Sequence, residues 1–280
     1  MRVDSSAGET ATDRVAIRVE GLSKVFETAR GEVTALRSTD LTIDSGEFVC
    51  VVGPSGCGKT TLLNILADLD QASSGTIAFQ VPSADRPLQS VVFQEQGVFP
   101  WLTILDNAAY GLAMRGVGKS KRRAVASAVL KRMGLGQFEA SYPDELSGGM
   151  RQRVNIARAF ATDPHILLMD EPFGSLDEQT KLLLQDDLLG IWEESRRTVV
   201  FITHSIDEAI RLADRIVVMS ARPGRIKASL PVTLPRPRHV LDMSEDAEYI
   251  RLRNEVWELL REEVLATREM EQQRTAGGSR

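Results

Sequence analysis

Three stretches of the chain carry side chains suited to chemistry on phosphate. The first, "GPSGCGKTT" from Gly53 to Thr61, fits the spacing G-x-x-x-x-G-K-[ST]. Gly53, Gly56 and Gly58 let the backbone through Pro54, Ser55 and Cys57 turn its amides inward around phosphate oxygens. Lys59 neutralises phosphate charge, the hydroxyl of Thr60 closes the motif and is placed to ligate magnesium, and Thr61 follows it in the same cradle. The stretch reads as a nucleotide cradle.

The second stretch, "HILLMDEP", delivers Asp170 and Glu171 at the end of an apolar run. Asp170 suits a magnesium shell, and Glu171 suits a general base for a water attacking the γ-phosphate. A carboxylate pair that merely caps a strand is the plainer alternative. Two further polar residues leave apolar runs in the same manner: His204 ends "TVVFITH" and Gln94 ends "SVVFQ". The His204 strand is expected beside the Asp170 strand, which brings the imidazole within reach of the γ-phosphate, although a lone histidine is often only a satisfied structural group. The Gln94 amide suits magnesium or the lytic water, and it opens the segment that leads into a helical region. It is therefore a candidate transmitter between chemistry and motion.

The third stretch, "ELSGGMRQR", places Ser147, Gly148 and Gly149 ahead of an amphipathic run, the arrangement of a backbone nest at a helix N-terminus. One nucleotide needs one cradle, so a second anion site in the same domain requires a separate reason.

The elements that must hold these residues are legible from periodicity. "VAIRVEGLSKVF" and "ALRSTDLTIDSGEFVCVVG" are strand-like, broken by the turn signal Ser45-Gly46. "VCVV", "SVVF", "ILLM", "TVVFI" and "RIVVM" are short continuous apolar runs separated by helical stretches, as in a mostly parallel sheet covered on both faces. The fold class is therefore α/β, a P-loop NTPase core with N-terminal antiparallel strands and an inserted helical subdomain at about 101–162. Residues 1–14 and 271–280 are expected as disordered tails, and 221–270 as a C-terminal loop and helix extension. "SARPGRIKASLPVTLPRPRH" is too rich in proline for anything but loop or edge structure. Beyond it, Tyr249, Leu252, Val256, Leu260 and Val264 recur at helical spacing. That stripe is expected to pack Trp257 and its neighbours onto the main domain, with a partner-binding helix as the alternative.

Composition narrows the function. The 280 residues are 42% hydrophobic and 26% charged, with a formal net charge of -5. An acidic balance argues against nucleic acid as the main partner, and "KSKRR" (Lys119 to Arg123) reads as a solvated helix face. Two cysteines, Cys50 and Cys57, make no disulfide framework and fit a reducing cytosol. No apolar run reaches the roughly 18 residues that span a bilayer, and the N-terminus lacks a signal-like apolar segment.

In their order, "GPSGCGKTT", Gln94, "LSGGMRQR", "ILLMDEP", "GSLDEQT" and His204 resemble the ATP-binding cassette (ABC) family over roughly residues 15–220. The "LSGGMRQR" element separates that family from other P-loop ATPases. The resemblance implies an ABC ATPase domain binding ATP and Mg2+, with two copies pairing head to tail around two ATP molecules. Ser147, Gly148 and Gly149 would then serve the γ-phosphate of the ATP held by the other copy, and Asp177 in "GSLD" would lie across the interface. Phe26 matches the position that stacks on adenine, with a core phenylalanine as the alternative. Asp68 in "ILADLD" stands where the family usually has glycine, and aspartate tolerates a left-handed backbone better than most residues.

Finer features, "QGVFPWLTILDNAAYGL" and "SARPGRIKASLPVTLPRPR", resemble the cassettes of bacterial nitrate, sulfonate and taurine importers. That likeness implies an integral membrane permease as a separate chain, indirect work with a periplasmic or lipoprotein substrate-binding protein, and a peripheral place on the cytoplasmic side of the inner membrane. Phe99, Pro100 and Trp101 would form the permease dock, unless Trp101 belongs to the core. A module that holds ATP without turning it over has no need of Glu171, Gln94 and His204 together. A cassette acting on nucleic acid usually carries paired motif sets, and one set stands here.

Overall fold

A computed structural model describes residues 15–29, 31–81, 85–95, 97–238 and 243–277. The two N-terminal strand-like runs form a long antiparallel hairpin, β1 (Val15–Thr28) and β2 (Gly31–Asp44). On its other edge β1 receives β4 (Ser74–Phe79), so Ile17 faces Ile43 on one side and Phe79 on the other. The chain between them supplies β3 (Phe48–Val52) and α1 (Lys59–Leu66).

The main sheet has the order β5-β6-β7-β3-β8-β9, with β5 (Gln89–Val92), β6 (Ile166–Asp170), β7 (Thr198–Ile202), β8 (Arg215–Met219) and β9 (Ile226–Pro231). All pairings are parallel except β8 with β9, which places the proline-rich stretch at an antiparallel edge. The central strands are apolar at almost every position, with Asp170, Thr198 and Arg215 only at strand ends, because both faces are covered. Phe48, Cys50 and Val52 point into one core with Trp192 and Phe201, while Val49 and Val51 point into another with Leu62, Leu66 and Ile17. Trp192 is fully buried and meets Phe48 edge-on at 5.3 Å. Both cysteines are free and buried.

Among the described residues, four α-helices lie between β5 and β6: α2 (Ile104–Ala108), α3 (Tyr110–Met114), α4 (Lys119–Arg132) and α5 (Gly148–Ala161). Ala126 and Leu130 of α4 are buried in the same cluster as Val154 and Ala157 of α5. The basic face of α4 is mostly solvated, and Arg123 clasps Asp106 through bonds of 2.7 and 3.0 Å.

After β6 come α6 (Glu178–Ser195) and, past β7, α7 (Ile206–Leu212); the last described element is α8 (Ala247–Gly277). The α8 backbone therefore continues beyond residue 270. Leu252 and Val256 are buried one turn apart, with Tyr249 and Leu260 half-buried beside them. The expectation that Trp257 packs inward is overturned, because Trp257 is 58% exposed. It follows Val256 by about 100° around the helix, which turns it off the packed stripe and outward. Residues 1–14 and 278–280 and the Val264 side chain lie outside the described residues. Among the described residues no helix is long and apolar enough to cross a membrane.

Candidate functional site

The cradle forms where β3, buried and rigid, runs out at Val52 and the chain must turn into α1. Gly56 and Gly58 take φ of +72° and +101°, and a Cβ on Gly58 would stand 2.8 Å from the Leu36 side chain and 2.9 Å from the Ala35 carbonyl. The loop is thus pressed against β2. Lys59 opens α1 with its side chain buried, and its ammonium donates to the carbonyls of Gly53 at 2.9 Å and Pro54 at 3.0 Å. Around it lies a cavity of about 370 Å³ lined by Phe26, Ser55, Thr60, Gln94, Glu171 and Arg222, among others. Phe26 is 37% exposed with the Lys24 ammonium 4.8 Å over its ring, so it is a wall of the cavity and not a core residue.

The acidic side of the cavity comes from Glu171, one residue past the end of β6, with Asp170 just before it in the chain. Asp170 is buried at the strand end. Burial pushes the Asp170 carboxyl up, with the nearby Thr60 hydroxyl pulling it down and the Glu171 charge pushing it up. A hydroxyl and a carboxylate near each other are hard oxygen donors, and this pair fits Mg2+ with phosphate oxygens completing its shell. Glu171 stands at φ +42°, a left-handed backbone uncommon for a glutamate, anchored by its amide donating to the Ile202 carbonyl at 3.0 Å.

Two other residues expected at the γ-phosphate converge on Glu171. Its Oε2 accepts from Gln94 Nε2 at 3.5 Å and lies 3.2 Å from His204 Nδ1. The strand order explains this convergence. Strands β5, β6 and β7 are neighbours, Asp170 pairs with Ile202, and Gln94, Glu171 and His204 each follow a strand end by one or two residues. A second cavity of about 410 Å³ opens behind Glu171 and His204, toward Lys181, Glu208 and Tyr249.

The "LSGGM" stretch opens α5 and stands elsewhere. Ser147 caps α5 by accepting from the Met150 amide at 3.3 Å. Asp177 caps α6, accepting from the Thr180 amide at 3.0 Å and its hydroxyl at 2.7 Å. These bonds hold the Asp177 carboxyl below its ordinary range. Gly149 touches the same threonine so closely that a Cβ would lie 2.7 Å from Thr180 Cγ2. Neither Ser147, Gly148, Gly149 nor Asp177 lines the cradle cavity. Asp68 sits at φ +56°, the left-handed conformation expected of a glycine substitute.

Sequence reasoning missed Arg222 in the cavity wall and Thr180 between the nest and Asp177. Arg222 lies 166 residues from Gly56, whose carbonyl accepts from its Nε at 3.2 Å, and no local spacing announces such a contact.

A glycine-lined cradle after a central parallel strand, with a carboxylate pair at the end of the strand two places along the sheet, defines a P-loop ATPase. The family pattern "ABC transporter" matches residues 36–174. An uncharacterized ABC transporter ATP-binding protein of Methanocaldococcus jannaschii is 44% identical over 270 residues, 95% of this chain and 98% of that protein. The nitrate import ATP-binding protein of Synechocystis is 42% identical over 255 residues (88% of this chain, 95% of that one). The aliphatic sulfonates import ATP-binding protein of Bacillus cereus is 45% identical over 225 (79% and 88%). The dimeric structure of a bacterial ABC transporter cassette superposes with a TM-score of 0.68 at 32% identity, covering 78% of this chain and all of that one. The chain belongs to the ABC transporter family as an ATP-binding cassette, and it is an ATPase.

Proposed function

We propose that the chain is the ATP-hydrolysing subunit of an importer for a small anion such as nitrate, a sulfonate or taurine, working on a separate permease. The observation that carries the coupling is positional. Ser147, Gly148 and Gly149 stand at the N-terminus of α5 and do not line their own cradle's cavity, which supports a second copy placed head to tail offering them to each site as a phosphate-binding nest. ATP then joins the two copies, and its hydrolysis releases them.

In this reading Lys59 moves its ammonium from the Gly53 and Pro54 carbonyls to the phosphates, and Phe26 stacks on the adenine. Thr60, Asp170 and Gln94 would hold Mg2+, which would supply positive charge against the phosphate oxygens. Glu171 accepts the proton of the attacking water. The bond from the γ-phosphorus to its bridging oxygen breaks, and ADP and phosphate leave. His204 and Gln94 hold the Glu171 carboxylate in place. Asp177 lies at the interface between copies and links the two sites.

The permease would dock beside Gln94, where Phe99 stacks on Tyr110 at 4.5 Å and Trp101 stands 71% exposed. Phe99 itself is half-buried, so Pro100 and Trp101 carry the exposed surface. The dock follows the transmitter residue directly in sequence, which couples the γ-phosphate to the membrane. The ATPase domain spans 15–220, with its helical subdomain at about 101–162, on the cytoplasmic side of the inner membrane. Substrate choice belongs to the permease and an extracytoplasmic binding protein; the nitrate and sulfonate relatives support the anion class.

The test is the solution mass of Glu171→Gln by light scattering, with and without Mg-ATP. A monomer that becomes a dimer only with nucleotide supports the reading. A monomer under both conditions, with ATP bound, would reduce the nest to a helix cap.

A further inference from the structure

The loop joining β8 to β9, Ser220 to Arg225, is pressed between the phosphate cradle and the C-terminal helix. On its inner side, Gly224 donates to the Ala35 carbonyl at 2.9 Å and accepts from the Arg37 amide at 2.8 Å. It lies so close to the cradle that a Cβ there would fall 1.9 Å from the Cys57 carbonyl. On its outer side, the Ala221 amide donates to Glu263 Oε2 of α8 at 2.8 Å. Lys227, where β9 begins, reinforces this clamp by pairing with Glu262 at 2.6 Å and Glu263 at 2.8 Å and donating to the Leu259 carbonyl at 3.1 Å.

The side chain this loop aims at the cradle is Arg222. Its Nε donates to the Gly56 carbonyl at 3.2 Å, its guanidinium borders the nucleotide cavity, and the residue is otherwise exposed. One guanidinium nitrogen comes within 3.6 Å of where a Gly56 Cβ would stand. A guanidinium has five N–H donors, so one bond to a carbonyl leaves the rest of the fork for phosphate oxygens. We propose that Arg222 is a further nucleotide-binding residue, a second cation at the phosphates beside Lys59, and that Glu263 is the positioning residue through which α8 holds it there. This deepens the ATPase reading and rests on it. The C-terminal extension would then set nucleotide affinity as well as bracing the domain.

The test is a Mg-ATP binding titration on the full chain, comparing wild type with Arg222→Gln, Arg222→Lys, Glu263→Ala, Glu263→Gln and the double variant Arg222→Gln/Glu263→Ala. Glutamine at 222 keeps a donor for the Gly56 carbonyl and loses the charge. Arg222→Gln should weaken ATP about tenfold or more, the loss expected for a hydrogen bond to a charged group. It should also flatten the salt dependence of binding, while Arg222→Lys falls between the two. Glu263→Ala should weaken binding in the wild-type background and add nothing once Arg222 is replaced, since residues acting through one contact are not additive. Glu263→Gln keeps an acceptor for the Ala221 amide and should restore most of the affinity. Wild-type affinity in Arg222→Gln would overturn the inference and leave the cradle standing. A Glu263→Ala effect of equal size in both backgrounds would overturn the positioning role. A wild-type chain that bound no Mg-ATP would overturn the cradle reading itself.

Discussion

Glu171 and His204 meet at a single oxygen: the imidazole Nδ1 lies 3.2 Å from Oε2, the atom that Gln94 also reaches. The carboxylate is fixed from both flanks by residues of neighbouring strands, with its backbone in the left-handed region. A base held in this way needs little reorganisation when it takes a proton. Glu171→Gln should lower turnover by roughly 10² to 10⁴ while leaving ATP affinity intact. Steady-state hydrolysis and a binding titration check the two halves separately, and unchanged turnover would remove Glu171 from the role of base.

Lys59 carries the opposite expectation. Its ammonium is already desolvated and held by two loop carbonyls, poised for transfer to phosphate. Lys59→Ala should weaken Mg-ATP binding by about tenfold or more, the loss of a charge-assisted bond. Normal affinity would contradict the cradle assignment.

Gly149 serves two purposes that can be separated. Gly149→Ala should cost about 1–3 kcal/mol of stability by driving a methyl into Thr180 Cγ2. Adding Thr180→Ser removes that methyl and keeps the hydroxyl that Asp177 accepts from. The double variant should regain the wild-type melting temperature yet still form less ATP-dependent dimer in the Glu171→Gln background. Full recovery of both would make Gly149 a packing residue only.

Trp101 is exposed enough that Trp101→Ala should change the stability of the isolated chain by no more than about 0.5 kcal/mol. Co-purification with the cognate permease should nevertheless fall sharply. A wild-type yield of complex would move the dock elsewhere.

Glu208 makes stability depend on pH. Burial pushes its carboxyl up, opposed by hydrogen bonds from the Thr203 hydroxyl and the Gln185 amide. A carboxyl whose value is raised on folding keeps its proton in the folded state after the unfolded chain has released it. Its contribution is therefore full below the ordinary glutamate range and is lost as pH rises through the raised value. Glu208→Gln should melt like wild type near pH 4 and gain on it progressively toward pH 8. A constant difference across that range would exclude the titration.

The sequence by itself determined what depends on spacing along the chain. The cradle of Gly53 to Thr61, the carboxylates ending "ILLMDE", and the two-sided apolar strands are local patterns, and each fixes its own element. Even the tolerance of Asp68 for a left-handed backbone is a property of one residue. The tertiary structure decided who faces whom. Gln94 and Glu171 are 77 residues apart and meet only because β5 pairs with β6. One position of helical phase turned Trp257 outward beside the buried Val256. The nest at Ser147 lies outside the cavity of its own cradle, and Arg222 joins that cavity from a loop that reads only as proline-rich. Periodicity encodes which face of an element is apolar, but strand order and register set the neighbours across space, and no single stretch of the chain contains that information.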